Sequence, residues 1–180
     1  MTKLAESIGW RILKRKRKSA QRDVQVHNFK TAASAVILFD TSETDSFQVI
    51  KEFRKFLEEK EIRCNAFGFV QEKEIPEEML FWKNYSFITK NDLNWYLKPG
   101  GEVVDAYFQC DPDILIDFSF SISLELQYLV QLSTARFKIG CYTEQENDYD
   151  LMINLGDKKH GIGYFAEQVK HYVSMLNPSN

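Results

Sequence analysis

Two aspartates stand where an α/β protein would carry out chemistry. Asp40 follows an apolar run at residues 35–39, and Asp117 follows an apolar run at 114–116. Such runs are typical of strands that are covered on both faces of a parallel sheet, and ligands bind beyond the carboxyl ends of these strands. Two carboxylates in this position can bind a cation, or divide acid and base roles when their environments separate their pKa values.

The alternative for both aspartates is a local structural role. Asp after a strand often caps the next helix or accepts hydrogen bonds from loop amides. We therefore treat Asp40, Asp117 and the nearby Ser119 as candidate ligand-binding residues. The sequence supports no assignment of a catalytic residue or of a metal site.

The segment at residues 91–99, NDLNWYLKP, gathers amide, carboxylate, indole, phenol and ammonium groups before a Pro-Gly-Gly breaker. Such a loop can stack a planar or sugar ligand on Trp95 or Tyr96 and hold it through Asn91 and Asn94. The alternative is that Asn91 caps a short helix while Trp95 anchors that helix on the core.

The common catalytic motifs are missing from the sequence. No GxGxxG follows the first strand, and neither GxxxxGK[ST] nor GxSxG occurs. The three histidines and three cysteines lack the spacings of zinc sites. A basic stretch at residues 158–160 precedes Gly161 and weakly favours an anion, although a solvated turn explains it as well. We expect no cofactor and lean towards a protein that is not an enzyme.

Positive charge is concentrated at the amino terminus. Residues 1–30 carry nine basic and two acidic side chains, a net charge of +7, whereas the other 150 residues carry 14 basic and 24 acidic ones, a net charge of −10. Blocks of like charge are commonly interaction segments, and phosphate contacts release counterions. The predicted polyanion-binding residues are Arg11, Lys14, Arg15, Lys16, Arg17, Lys18 and Arg22.

RNA or a ribonucleoprotein is the partner that we expect for this basic segment. The alternatives are an anionic membrane surface, into which an apolar face with Leu4, Ile8, Ile12 and Trp10 inserts, or a helix that packs on its own acidic domain. A protein partner also stays open.

The apolar spacing predicts the elements that position these residues. A helix over 2–22, with Leu4, Ala5, Ile8 and Ile12 on one face, leads through a connector to a Rossmann-like α/β domain. We expect two parts, a basic amphipathic helix with its connector at 1–30 and a single domain at 31–180. Alternating strands and helices indicate a mostly parallel sheet with helices on both faces. The predicted strands are 35–39, 62–70, 85–89, 113–118, 137–142 and 150–155, and the predicted helices are 47–60, 103–108, 122–132 and 165–176.

The composition indicates a packed globular protein, with 44% hydrophobic and 14% aromatic residues. No apolar run approaches the roughly 18 residues that span a bilayer, and no secretory signal begins the chain. We therefore expect a cytoplasmic location.

Residues 113–140 resemble the N-terminal half of the lipopolysaccharide heptosyltransferase type of glycosyltransferase. Asp117, Ala135, Arg136 and Gly140 match its pattern of a strand ending in Asp, a helix, an Arg and a strand entering Gly. That family binds its donor nucleotide largely in a second Rossmann-like domain. The resemblance implies the fold and, as an alternative function, an enzyme that binds a sugar phosphate or a nucleotide sugar.

The whole chain resembles a family of short, uncharacterised bacterial α/β proteins. The shared features are a basic N-terminal helix, a strand ending in Phe39-Asp40, an NDLNWY-G-KP segment in which Leu97 replaces the Gly, and later DILID, KFKIG-like and YDLMI strands. This resemblance implies an organisation and no activity. We expect a non-catalytic cytoplasmic binding protein, with a peripheral membrane or scaffold subunit as a further alternative.

Overall fold

The computed structural model describes residues 3–19, 21–156 and 161–178, so the basic stretch at 158–160 lies outside the described residues. No helix within these ranges has both the length and the apolar character needed to cross a membrane. The helices are α1 Lys3–Arg17, α2 Ser46–Glu58, α3 Glu102–Phe108, α4 Leu124–Leu132 and α5 Ile162–Met175. The strands are β1 Ser34–Asp40, β2 Arg63–Phe69, β3 Tyr85–Ile88, β4 Ile114–Asp117, β5 Phe137–Cys141 and β6 Leu151–Ile153. Short 3-10 helices, Glu77–Phe81 and Lys90–Asp92, precede and follow β3.

The six strands form one parallel sheet in the order β3-β2-β1-β4-β5-β6. The order reverses between β1 and β4, which makes their carboxyl ends the topological switch point of the sheet. The predicted Rossmann-like α/β class, with a basic helix ahead of it, is confirmed.

Side chains of the central strands alternate between two hydrophobic cores. Ile37 and Phe39 of β1 pack on the face covered by α2 and α5. Val36 and Leu38 pack on the other face, which α3 and α4 cover. Because both faces are covered, these strands are apolar without interruption, and their positions were predictable to within a few residues.

The N-terminal helix differs from the prediction in length and in its buried face. It ends at Arg17 rather than near residue 22. Its buried residues are Gly9 and Leu13, whereas Leu4 of the predicted apolar face is 70% exposed. The hydrophobic stripe therefore did not identify the side of α1 that meets the domain.

A close backbone approach at Gly9 explains this orientation. A Cβ at Gly9 would overlap the Leu124 side chain and the Tyr96 carbonyl oxygen. The buried Tyr128 hydroxyl donates a hydrogen bond to the Gly9 carbonyl at 2.9 Å, and Leu13 packs beside it. α1 therefore lies against α4 instead of protruding from the domain.

Candidate functional site

The inner side of α1 is bound to an acidic loop between β5 and β6. Lys14 and Arg17 both reach Glu146, at 3.1 and 2.9 Å, and hydrogen bonding by Lys14 lowers the pKa of this carboxyl group. Arg17 also donates to the carbonyl of Asn147 at 2.7 Å and lies 3.5 Å from Asp148. The acidic loop thus fixes the C-terminal part of α1 on the domain.

Arg22 continues this network beyond the end of the helix. Its guanidinium donates to Asp150 at 2.9 and 2.6 Å and to the carbonyls of Ala135 and Arg136, both at 3.1 Å. It also lies 3.5 Å from Asp148. Three of the seven predicted polyanion contacts, Lys14, Arg17 and Arg22, are therefore engaged by the chain itself.

The other four predicted contacts face solvent. Arg11, Arg15, Lys16 and Lys18 are exposed, and none of them has a carboxylate within ion-pair distance in the described part of the chain. Arg11 and Arg15, one turn apart, lie on the side of the helix opposite Gly9 and Leu13, whereas Lys16 and Lys18 are exposed at the C-terminal end of α1. We call these four side chains the outer basic face.

Asp40 and Asp117 lie on the same face of the sheet at the switch point. Asp117 is the register partner of Leu38, and Asp40 stands two residues further along β1. Both side chains are buried, with exposed fractions of 2% and 0%. Burial raises the pKa of Asp117, and the nearby Asp40 carboxylate adds to this effect.

Both carboxylates are used within the chain in the same way. Asp40 accepts hydrogen bonds from the amide and hydroxyl of Ser42 at 2.9 and 2.6 Å, and from Gln71 at 2.8 Å. Asp117 accepts from the amide and hydroxyl of Ser119 at 2.9 and 2.6 Å. Each Asp-x-Ser sequence therefore closes a turn after its strand, which agrees with the local alternative rather than with cation binding.

Tyr149 completes the surroundings of Asp117 and was not predicted from the sequence. Its hydroxyl donates to the second oxygen of Asp117 at 2.6 Å. Burial and the Asp117 charge raise the pKa of Tyr149, so the phenol keeps its proton. The sequence feature that corresponds to the position of Tyr149 is Gly140, because a Cβ at residue 140 would stand 2.5 Å from the Tyr149 ring.

A cleft of about 520 Å³ opens beside this pair, beyond the ends of β4 and β5. Its polar side chains carry hydroxyl and amide groups and one carboxylate, that of Glu144, and no Lys or Arg lines it in the described part of the chain. Such a site suits a neutral ligand with many hydroxyl groups better than a phosphate. The polar residues that line it include Ser119, Ser121, Gln127, Thr143 and Tyr149.

Metal binding finds no support among the described residues. No group of three or more His, Cys, Asp or Glu side chains is arranged to hold an ion there. The chemistry available in the cleft is therefore hydrogen bonding by hydroxyl and amide groups and by the Glu144 carboxylate, since the Tyr149 phenol already donates to Asp117.

The segment at 91–99 forms a loop, and ligand binding by its Asn91, Asn94 and Trp95 stays a prediction. The Asn94 side chain accepts hydrogen bonds from the amides of Tyr96 and Lys98, at 3.1 and 3.0 Å, so it holds the loop itself. Thr89, rather than Asn91, caps the short helix. No hydrogen bond, ion pair or ring contact in the described ranges joins this segment to Asp40, Asp117 or Ser119.

Within this segment, the Trp95 side chain is exposed to solvent and the Leu97 side chain is buried in the core. Trp95 is 68% exposed and therefore does not anchor the loop on the core. Leu97 has φ +67° and packs against Leu13 and Tyr128 beneath α1. A positive φ favours glycine, which explains why a Gly is expected at this position of the NDLNWY-G-KP pattern. Here the buried Leu97 side chain secures the helix instead.

The fold and these surfaces define a class: α/β proteins with a Rossmann-like parallel sheet and a basic helix docked on one face. Within it, the chain belongs to a family of unknown function (DUF6913), whose sequence model matches residues 6–176 and so includes most of α1. Comparison with the curated proteins and with the solved structures gave no match. The resemblance to heptosyltransferases stays a prediction.

Proposed function

We propose that the protein is a non-catalytic, cytoplasmic binding protein that docks on a phosphate polyanion, RNA or a ribonucleoprotein, through the outer basic face. The observation that supports this proposal is the division of the cations of α1. Lys14, Arg17 and Arg22 are paired with the acidic loop, while the four side chains of the outer basic face have no such partner.

The fixed position of α1 favours such docking. A helix that is already folded and anchored loses little conformational freedom when it binds, which leaves more of the interaction energy for affinity. Lys and Arg contacts to phosphates release counterions and carry no sequence information. We therefore expect binding that depends strongly on salt and only weakly on sequence.

The direct experiment neutralises the outer basic face with Arg11→Gln, Arg15→Gln, Lys16→Gln and Lys18→Gln. We expect the affinity for a structured RNA hairpin, measured by fluorescence anisotropy at about 50 mM salt, to fall at least tenfold. A matched variant that removes four lysines outside the outer basic face is expected to bind like the wild type. Those four are Lys30, Lys60, Lys73 and Lys90. Equal affinity of both variants, whatever its value, contradicts the proposal.

A second candidate function is the binding of a neutral sugar in the cleft beyond β4 and β5. The observation that favours it is the wall of hydroxyl and amide groups around Tyr149. A ligand of the folded state raises the melting temperature. We expect neutral monosaccharides to do so in the wild type and not in a Thr143→Val variant. Stabilisation that is the same in both proteins excludes this site.

A further inference from the structure

A second basic surface lies on the opposite face of the sheet from α1. It is a cleft of about 510 Å³ between the exposed side of α2 and residues 81–85, which lead into the edge strand β3. α2 packs with α5 on one face, whereas α1 packs on α4 on the other. This cleft is therefore separate from the outer basic face and from the switch point.

One wall of the cleft is aromatic. The rings of Phe47 and Trp82 are stacked with their centroids 3.7 Å apart, and the Tyr85 ring lies 5.6 Å from that of Phe47. Beside them Phe81 is 82% exposed, more than any other large apolar side chain in the described residues. Flat aromatic surface that reaches solvent in a cleft offers a stacking platform for another ring.

The rest of the lining carries more positive than negative charge, with Lys51, Arg54, Lys55 and Lys83 against Glu52 and Glu58. Lys51 and Lys55, one helical turn apart on α2, are exposed at the rim, and Lys83 stands on the opposite side. Lys55 lies 3.9 Å from Glu59, a distance too long for a strong pair. The domain at residues 31–180 is acidic overall, so cations grouped around aromatic rings are not what its average composition would produce.

Arg54 and Tyr85 lie at the floor of this cleft and interact with each other. The Arg54 side chain is buried, and its guanidinium stands 4.9 Å from the centre of the Tyr85 ring and 3.5 Å from Glu58. Its Nε has no hydrogen-bond acceptor among the described residues. Buried polar groups are normally satisfied, so the Arg54 Nε offers one donor to an acceptor on a ligand.

We propose that this cleft binds a nucleoside phosphate, with the base stacked on Phe81 and Trp82 and the phosphate held by Lys51 and Lys55. Both parts of the ligand are needed, because the aromatic wall offers no positive charge and the lysines offer no ring. The volume suits a ligand of this size, since small-molecule sites span roughly 300–1,000 Å³. A free mononucleotide and the terminal nucleotide of a strand share this chemistry.

Trp82 is a natural reporter for this proposal. The sequence has three tryptophans, so Trp10→Phe and Trp95→Phe leave Trp82 as the only one. In this background we expect adenosine 5′-monophosphate to quench the fluorescence with saturation, and adenosine or inorganic phosphate alone to bind at least tenfold more weakly. Lys51→Gln with Lys55→Gln is expected to weaken binding of the nucleotide at least tenfold. The matched control, Lys30→Gln with Lys73→Gln, keeps the wild-type affinity.

A second variant tests the aromatic wall of the cleft. Phe81→Ala removes a side chain that is almost fully exposed, so the variant folds normally and is expected to lose nucleotide affinity. A short 5′-phosphorylated oligoribonucleotide, tested with the outer basic face neutralised, distinguishes the two sources: quenching by it alone assigns the site to the end of a strand. No saturable quenching by either probe, equal binding of adenosine and its phosphate, or full affinity after loss of Lys51 and Lys55 overturns the proposal.

Discussion

Asp117 shows how a buried carboxylate at a switch point can serve the fold. Its two oxygens accept three hydrogen bonds, from Ser119 and Tyr149, and no solvent reaches the side chain. Asp40 is held by three hydrogen bonds in the same way. The role of both residues is therefore to set the turns from which the neighbouring cleft opens.

The raised pKa of Asp117 predicts how stability changes with pH. Burial and Asp40 raise this pKa above the ordinary value of 3.8, so the folded chain keeps the proton when the unfolded chain has already lost it. The free energy of unfolding should therefore fall, relative to an Asp117→Asn variant, as the pH rises from about 4 towards neutrality. Urea denaturation at several pH values measures this difference. A difference that is constant or grows with pH contradicts the assignment.

Lys138 is fully buried and depends on Asp148, whose carboxylate lies 2.5 Å from its ammonium group. Burial lowers the pKa of Lys138, while the pair with Asp148 opposes this effect. Asp148→Asn leaves a buried charge without its partner and is expected to cost about 3 kcal/mol of unfolding free energy.

The matched comparison removes the buried charge as well. Lys138→Met is expected to cost less than Asp148→Asn, since Asp148 keeps Arg17 and Arg22 nearby. Adding Lys138→Met to Asp148→Asn should then recover stability. Chemical denaturation of the three variants tests this cycle, and strict additivity of the two changes would show that the pair does not interact.

At the scale of elements, the positions of the strands could be predicted from the sequence, but the orientation of α1 could not. The strands were predictable because apolar runs such as 35–39 have a single interpretation in a covered sheet. The orientation of α1 was not, because it depends on a contact at Gly9 that only the folded chain creates. The role of Tyr149 also depends on a long-range contact, as the sequence places it 32 residues from Asp117.

Gly9→Ala tests this account of α1. In an isolated helix the change stabilises by about 1 kcal/mol. Here the added Cβ meets Leu124 and the Tyr96 carbonyl, so we expect a net loss of about 1–3 kcal/mol in thermal or urea unfolding. Ser7→Ala, on the exposed side of the same helix, serves as the control and should be neutral or slightly stabilising. A Gly9→Ala protein as stable as the control would show that α1 is not tightly docked.

The charge of the whole molecule is unevenly distributed, since a basic helix is bound to an acidic domain. The sequence alone reveals the excess of positive charge in residues 1–30. It does not reveal which cations are free, because that depends on the side of α1 that meets the loop carrying Glu146 and Asp148. The structure separates the two groups, and the cleft at Trp82 adds a second cationic surface on the far face of the sheet.

The measurement that tests the central claim most directly is the dependence of RNA affinity on salt. If the four side chains of the outer basic face each contact one phosphate, the logarithm of the association constant should fall with the logarithm of salt concentration. The expected slope lies between about −2.8 for a single strand and about −3.6 for a duplex. Each Gln substitution in this face should reduce the slope by about one contact, whereas substitutions of Lys30 and Lys73 should leave it unchanged. An affinity that is indifferent to salt, or a slope that survives neutralisation of all four side chains, contradicts the account.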